Sequence, residues 1–274
     1  MIMLKRALLL LKRNPVIILI YAGYMLLSLL LMLLLYPKNI QQFMFDTQGM
    51  FSMSAYLSGL GKLFLAVILI FLSGLFFLSG FGNLVREAVF SGRTSGAAFL
   101  AGIRLYFVRI LLMMLMMIGF AFGASLLIGI ITVPITVMTM MSGTSSMYFT
   151  TMLIMGITLL LLLIPLPFLI LWIPAIFLED TGVIQGLKAG ARAGSKNYWR
   201  LALSVLLLYL PMVIYTVFNY DAMSGGRLLT VGYIALLLVS SVMSLIFTSY
   251  IFMVYHYYKI NIITTEASPR TNND

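Results

Sequence analysis

A chain of 274 residues that is 62% hydrophobic and only 9% charged, with a mean hydropathy of +1.11, carries too much apolar surface for a water-soluble fold of its size; its natural solvent is lipid. The net charge of +10 comes from 17 Lys and Arg against 7 Asp and Glu, and because the cations sit between apolar runs they report membrane orientation and not nucleic-acid binding. The absence of cysteine excludes disulfides, thiolate catalysis and cysteine-ligated metal clusters, and a single histidine, His256, argues against a histidine metal centre, so no cofactor is expected.

Residues 3–13 place basic pairs at Lys5-Arg6 and Lys12-Arg13, seven residues apart and so on one face of a helix, with leucines on the other. Such a helix lies in the headgroup layer, its cations against anionic lipid. Pro15 suits the first turn of the span that follows, 15–36. That span is too long for a signal-peptide core and leads into Pro37-Lys38-Asn39, so it reads as a retained anchor. A second span is expected at 60–82. A Gly- and Ala-rich surface helix is expected at 94–106, and a third span at 107–134. In the third, Gly119 and Gly123 stand four apart beside Ala121, Ser125 and Gly129. Small residues at that spacing let backbones approach closely, either within the bundle or at a dimer face.

The fourth span, 150–178, is interrupted by Pro165, Pro167 and Pro174, which free the carbonyls of Leu161, Leu163 and Ile170. Something must satisfy those carbonyls at membrane depth; the prolines form either a hinge with a polar pocket or a static kink that shapes the bundle. A third surface helix, 182–198, precedes the fifth span at 200–220. The sixth span, 228–258, carries Ser240, Ser244 and Thr248 on one face, a pattern for hydrogen bonds between helices or for a polar path. It ends in the aromatic and basic anchor Tyr255-His256-Tyr257-Tyr258-Lys259, and a polar tail, 261–274, is expected to be disordered. No Asp, Glu, Lys or Arg falls near the middle of any span, which argues against proton coupling and against intramembrane hydrolysis.

With the N-terminus inside, 14 of the 17 basic residues fall on the cytoplasmic side and 3 outside, in keeping with the positive-inside rule. The expected fold is therefore an all-α membrane protein of six transmembrane helices in the cell membrane, multi-pass, with both termini cytoplasmic. It forms a single domain over 1–260. Arg13, Arg104 and Lys196 recur 91 and 92 residues apart, and Ala101-Gly102-x-Arg104-x-Tyr106-Phe107 matches Ala193-Gly194-x-Lys196-x-Tyr198-Trp199. This implies three repeats of an interfacial helix plus a two-span hairpin, about 1–82, 83–178 and 179–260. The clusters Arg104, Tyr106, Arg109 and Lys196, Tyr198, Trp199, Arg200 are the candidate lipid and membrane-surface residues, cations for anionic headgroups and rings to set depth.

The stretch from Ile173 to Arg200 (IPAIFLEDTGVIQGLKAGARAGSKNYWR) and the loop from Asn83 to Ser95 (NLVREAVFSGRTS) resemble a six-span bacterial inner-membrane group that includes the membrane domain of glycerophosphoryl diester phosphodiesterases. The resemblance implies the same six-helix layout with cytoplasmic interfacial helices. It does not carry over the phosphodiesterase activity, which in that family resides in a separate soluble barrel. The function expected is a non-enzymatic membrane accessory, scaffold or protective module whose partners are anionic membrane lipids. The alternative is a permease subunit of an export system, with residues 182–198 as the coupling helix for an ATPase; another membrane protein could equally be the partner.

Overall fold

The computed structural model describes residues 2–35, 53–142, 164–218 and 231–267, and these residues are helical apart from short turns. The helices are α1 (Ile2–Arg13), α2 (Pro15–Leu35), α3 (Met53–Ser91), α4 (Gly96–Ser142), α5 (Leu166–Ile170), α6 (Trp172–Glu179), α7 (Val183–Lys196), α8 (Tyr198–Phe218) and α9 (Val231–Ala267). A chain this apolar forms helices because each backbone N–H and C=O must find its partner within the segment. Three described helices are long and apolar enough to cross a membrane, at Leu57–Ser91, Gly96–Ile135 and Leu238–Ile262; α1 and α2 together qualify as a fourth, bent by 86°. Leu166–Glu179 and Tyr198–Leu208, the latter the first part of α8, are shorter apolar stretches, and residues 150–163 of the expected fourth span lie outside the described residues.

Where a helix stops is decided by what its last carbonyls meet. α1 and α7 end in the same way. Asn14 donates its side-chain N–H to the Leu10 carbonyl at 2.9 Å, and Asn197 donates its own to the Ala193 carbonyl at 3.0 Å, each four residues back. The Asn14 backbone N–H turns to the Leu11 carbonyl and that of Asn197 to the Ala193 and Gly194 carbonyls. Each asparagine carbonyl then accepts the first bond of the next helix, from Ile17 and Leu201. An amide that competes with the backbone in this way ends one helix and starts another. The position of the second repeat that corresponds to Asn14 and Asn197 is Leu105, which has no such group, and α4 runs through it unbroken from Gly96. The separate surface helix expected at 94–106 is therefore the first turns of α4. α9 likewise continues to Ala267, beyond the expected start of the tail at 261; residues 268–274 lie outside the described residues. α3 passes without a break through the boundary expected between residues 82 and 83.

Two units divide the chain, and each has its own packing. In the first, Met1–Phe107 with Ser204–Asp274, α1 lies against α9, with the Arg6 guanidinium 6.0 Å from the Tyr257 ring. α2 packs on α3 through a stack of Tyr24 on Phe77 at 3.9 Å and through Tyr21 beside Phe81 at 5.7 Å. The end of α3 meets the start of α4 so closely that a Cβ on Gly102 would stand 2.5 Å from Asn83 and 2.8 Å from the Ser79 carbonyl oxygen. Asn83, buried there, donates to the Ala98 carbonyl at 2.8 Å.

In the second unit, Val108–Leu203, α7 lies on α5 and α6 along the stripe Gly186, Gly190 and Gly194. A Cβ on Gly190 would come within 2.6 Å of the Trp172 backbone nitrogen, and one on Gly194 within 2.5 Å of the Pro167 carbonyl oxygen. Trp172 is fully buried and donates its indole N–H to the Val183 carbonyl at 2.7 Å. Gly186, Gly190 and Gly194 fall at i, i+4 and i+8, which lets two backbones touch without side chains between them.

Gly190→Ala is expected to destabilise the protein by about 1–3 kcal/mol, because the methyl group meets main chain that cannot move aside. Gly119→Ala, which has no neighbour within 4 Å among the described residues, should instead be neutral or stabilising by about 0.5–1 kcal/mol from helix propensity alone. Unfolding of the two variants in mixed detergent micelles checks the contrast.

Candidate functional site

The best-formed polar constellation among the described residues is built around Asn14 and the turn between α3 and α4. Asn14 is 3% exposed. Besides capping α1, its N–H reaches the Gly92 carbonyl at 3.3 Å, and its side-chain oxygen accepts the Thr94 backbone N–H at 2.9 Å. Thr94 passes the connection on, donating its hydroxyl to Glu87 at 3.1 Å. Gly92 closes α3 with φ +76°, a left-handed conformation open to glycine at low cost, and its N–H bonds the Ala88 carbonyl. One asparagine thus fixes both the elbow of α1 and α2 and the turn that orients Glu87.

Beside this turn lies an open cleft of about 520 Å³. Its polar wall is the last turns of α3, with Asn83, Arg86, Glu87 and Ser91; Phe90 adds a ring. Ala98, Ala101 and Leu105 of α4 make an apolar wall opposite. Arg86 is half-buried and hydrogen-bonds Asn83 at a long 3.5 Å, while its Nε–H is buried with no acceptor among the described residues. Its guanidinium lies 5.9 Å from the Phe90 ring. A cation and a carboxylate on adjacent residues, facing an apolar wall, form an amphiphilic site. Neither Arg86 nor Glu87 was among the residues singled out from the sequence. The signal was present in the Asn83–Ser95 segment: an Asn three residues before the Arg and a Glu beside it, on a stretch read there as a loop but folded here as the end of α3.

The sequence-derived candidates divide. Arg104, Lys196 and Arg200 are exposed, and Trp199 is 81% exposed, as a surface cluster requires. Tyr198 is half-buried and packs against Phe168 and Trp199 at 5.7 and 5.5 Å. Tyr106 is 1% exposed: with no break at Leu105 it faces inward from a continuous helix and cannot act as a membrane-surface ring. Arg109 pairs with Asp180, which stands at the left-handed C-cap of α6, φ 52°, so its charge is spent first on holding the corner between α6 and α7.

Pro165 is the N-cap of α5, Pro167 is buried in its first turn, and Pro174 is buried in the first turn of α6. There a proline's missing N–H costs nothing, so the prolines start short helices where a kinked continuous span was expected. The carbonyls of Leu161 and Leu163 fall outside the described residues. A Cβ on Gly119 or Gly123 would meet nothing within 4 Å among the described residues. On α9, Ser244 hydrogen-bonds Tyr21 of α2, Thr248 bonds back to the Ser244 carbonyl at 2.8 Å, and Ser240 is half-buried. The hydroxyl face serves helix packing at Ser244. Among the described residues no group of three His, Cys, Asp or Glu could hold a metal ion.

Residues 2–258 match the family described as a domain of unknown function, DUF7847, and the chain belongs to that family. No curated protein and no solved structure matches it.

Removing the Asn14 side chain leaves Leu10, Gly92 and Thr94 backbone groups without their partner. Asn14→Ala should therefore lower stability by about 1–3 kcal/mol. The ion pair of Arg109 with Asp180 is solvated, with 36% and 59% of the two side chains exposed, so Arg109→Gln should cost about 0–1 kcal/mol. Equilibrium unfolding in detergent compares the two; an Asn14→Ala loss no larger than that of Arg109→Gln would show that Asn14 is not the organising group.

Proposed function

We propose that the protein is a non-enzymatic, six-span module of the cell membrane, with both termini cytoplasmic, whose basic cytoplasmic face engages anionic lipid. The observation that carries the reading is the elbow of α7 and α8: Trp199, with its ring almost wholly exposed, stands between the exposed cations Lys196 and Arg200 at the start of an apolar helix. A solvent-facing Trp flanked by cations is costly in water and favourable at the headgroup level, where the ring sits among glycerol and carbonyl groups and the cations meet phosphate. α1 repeats the arrangement with Leu4, Leu8 and Leu9 exposed beside Lys5, Arg6, Lys12 and Arg13.

The three-repeat reading is supported by the matching asparagine elbows at Asn14 and Asn197. It is supported also by the recurrence of one packing relation: α1 on α9, the start of α4 on the end of α3, and α7 on α5 and α6. The likeness of 83–95 and 173–200 to phosphodiesterase membrane domains supports the layout alone. The ATPase-coupled permease reading rests on α7. That helix is held on its own hairpin by three glycines while Gln185, Lys188 and Arg192 face outward, a surface that lipid or a protein partner can use equally.

Two measurements test the reading. Reporters fused after Tyr36 and near Gly143 and Ser224 should read as external, and those after Ser91, Gly190 and Asp274 as cytoplasmic; one consistent reversal would break the six-span assignment. Changing Arg104, Lys196 and Arg200 together to Gln should leave the topology intact, since 11 of the 14 inner cations remain. It should also lower the phosphatidylglycerol and cardiolipin that co-purify with the protein, each cation near the surface contributing about 1 kcal/mol. Unchanged retention would reduce the cluster to a topological signal, and co-purification of an ATPase lost on Lys188→Glu would favour the permease reading.

A further inference from the structure

The cleft at the end of α3 carries a more specific assignment than the basic face around it. Arg86 is half-buried, bonded weakly at 3.5 Å to Asn83, and its buried Nε–H meets no acceptor among the described residues. Arginine in a folded protein is always charged, and a guanidinium N–H buried without an acceptor is unfavourable. The neighbouring carboxylate of Glu87 does not neutralise it: one Glu87 oxygen is held by the Thr94 hydroxyl, and the ion pair observed among the described residues joins Arg109 to Asp180. Arg86 and Glu87 therefore present a cation and an anion side by side to the same open space of about 520 Å³. Opposite them stand Ala98, Ala101 and Leu105, with Ala101 and Leu105 exposed and offering nothing but hydrocarbon.

A ligand that complements all three features carries a phosphate, an amine a few bonds away and an apolar chain. We propose that this cleft binds one zwitterionic phospholipid of the phosphatidylethanolamine class, its phosphate on Arg86, its ammonium on Glu87 and an acyl chain along Ala101 and Leu105. Arg86 turns its fork to the phosphate and gains the charge-assisted bonds that it lacks within the protein. Glu87 is oriented for the ammonium by Thr94, which Asn14 holds in turn. The depth is suitable: α3 is 39 residues long, about 58 Å at 1.5 Å per residue, so its last turns lie beyond a hydrocarbon core of about 30 Å. The assignment rests on the membrane reading for that depth, but not on the cationic cluster at Arg104, Lys196 and Arg200.

The test is lipid competition on the full chain, purified and exchanged into nanodiscs or micelles holding equal amounts of phosphatidylethanolamine and phosphatidylglycerol, with bound lipid counted by native mass spectrometry. With Arg104, Lys196 and Arg200 changed to Gln in every sample, so that lipid held by the outer cluster does not enter the count, the protein should retain phosphatidylethanolamine in excess. Glu87→Gln should shift the ratio towards phosphatidylglycerol by about tenfold, the worth of one charge-assisted hydrogen bond, while total retained lipid holds. Arg86→Gln should lose both lipids from the site. Ala101→Trp, which fills the cleft and leaves both charges in place, should do the same, so that misfolding of the Arg86 variant alone could not decide the matter. Soluble phosphoethanolamine at millimolar concentration should not compete.

An unchanged ratio in Glu87→Gln would overturn the zwitterion assignment. Lipid retained by both Arg86→Gln and Ala101→Trp would overturn the site. Competition by phosphoethanolamine as effective as that of lipid would make the ligand a free phosphate ester and overturn the lipid. The ratio read on Glu87 is independent of the phosphatidylglycerol and cardiolipin lost from the outer cluster and of the reporter topology, so failure here leaves the broader reading standing, and failure there leaves this one.

Discussion

A helix in an apolar solvent can end only where its last carbonyls find donors, and that constraint governs the rest of this protein. Asn14 and Asn197 supply those donors from their side chains, and at each the chain leaves one helix for another. Gly92 and Asp180 end α3 and α6 differently, through left-handed backbone conformations. Leu105 supplies nothing, and α4 continues for 47 residues from Gly96 to Ser142. Among the described residues these side chains and left-handed turns place the passages from α1 to α2, α3 to α4, α6 to α7 and α7 to α8, and the polar groups near the helix ends follow from them: Glu87 is oriented through Thr94 because Asn14 is where it is.

Once the ends are fixed, close packing must come from shape, since lipid tails are as apolar as leucine and give no hydrophobic drive for one helix to meet another. Glycine is placed accordingly. Gly80 and Gly102 allow the end of α3 to touch the start of α4, and Gly186, Gly190 and Gly194 allow α7 to lie on α5 and α6; a Cβ would meet main chain at Gly80, Gly102, Gly190 and Gly194 and the Ile176 side chain at Gly186. Gly119 and Gly123 stand four apart in the same way, yet a Cβ on either would meet nothing within 4 Å among the described residues. The spacing of small residues therefore identifies a face that can approach another helix closely; whether it does so depends on where the turns direct the chain.

The legible part of the fold in the sequence was what depends on composition and local spacing. The basic pairs of α1, the proline that opens α2 at Pro15, the boundaries of α8 to within two residues at each end, and the separate amphipathic helix α7 all follow from residues near one another in the chain. The misread features turn on a single side chain or on contacts distant in sequence. The three-fold pattern of small, basic and aromatic residues led to a second surface helix at 94–106, whereas the difference between Asn and Leu at one position decides whether the helix breaks. Tyr106 was matched to Tyr198 as a surface ring, yet with α4 unbroken it is buried. The three prolines of the fourth span were read by their cost inside a helix, although Pro167 and Pro174 occupy first turns where that cost vanishes. Arg86 passed as one of many inner cations, because the lack of an acceptor for its Nε–H is visible only in three dimensions.

That unmet Arg86 N–H can be weighed against the rest of the polar inventory. Other buried polar groups among the described residues have acceptors: Ser79 in Leu75 and Ser249 in Leu245, each one turn back, and Asn83 in Ala98 of the next helix. Ser28 and Thr181 also have buried hydroxyl oxygens with no partner among the described residues, but a neutral hydroxyl rotates and loses little. A guanidinium is planar, permanently charged and poorly served by apolar surroundings, so leaving one of its N–H groups unmet costs more than for either hydroxyl. Among the described residues, a half-buried arginine with an unmet N–H thus stands beside a glutamate at the mouth of a cleft with one apolar wall, and on that arrangement the proposed lipid site rests.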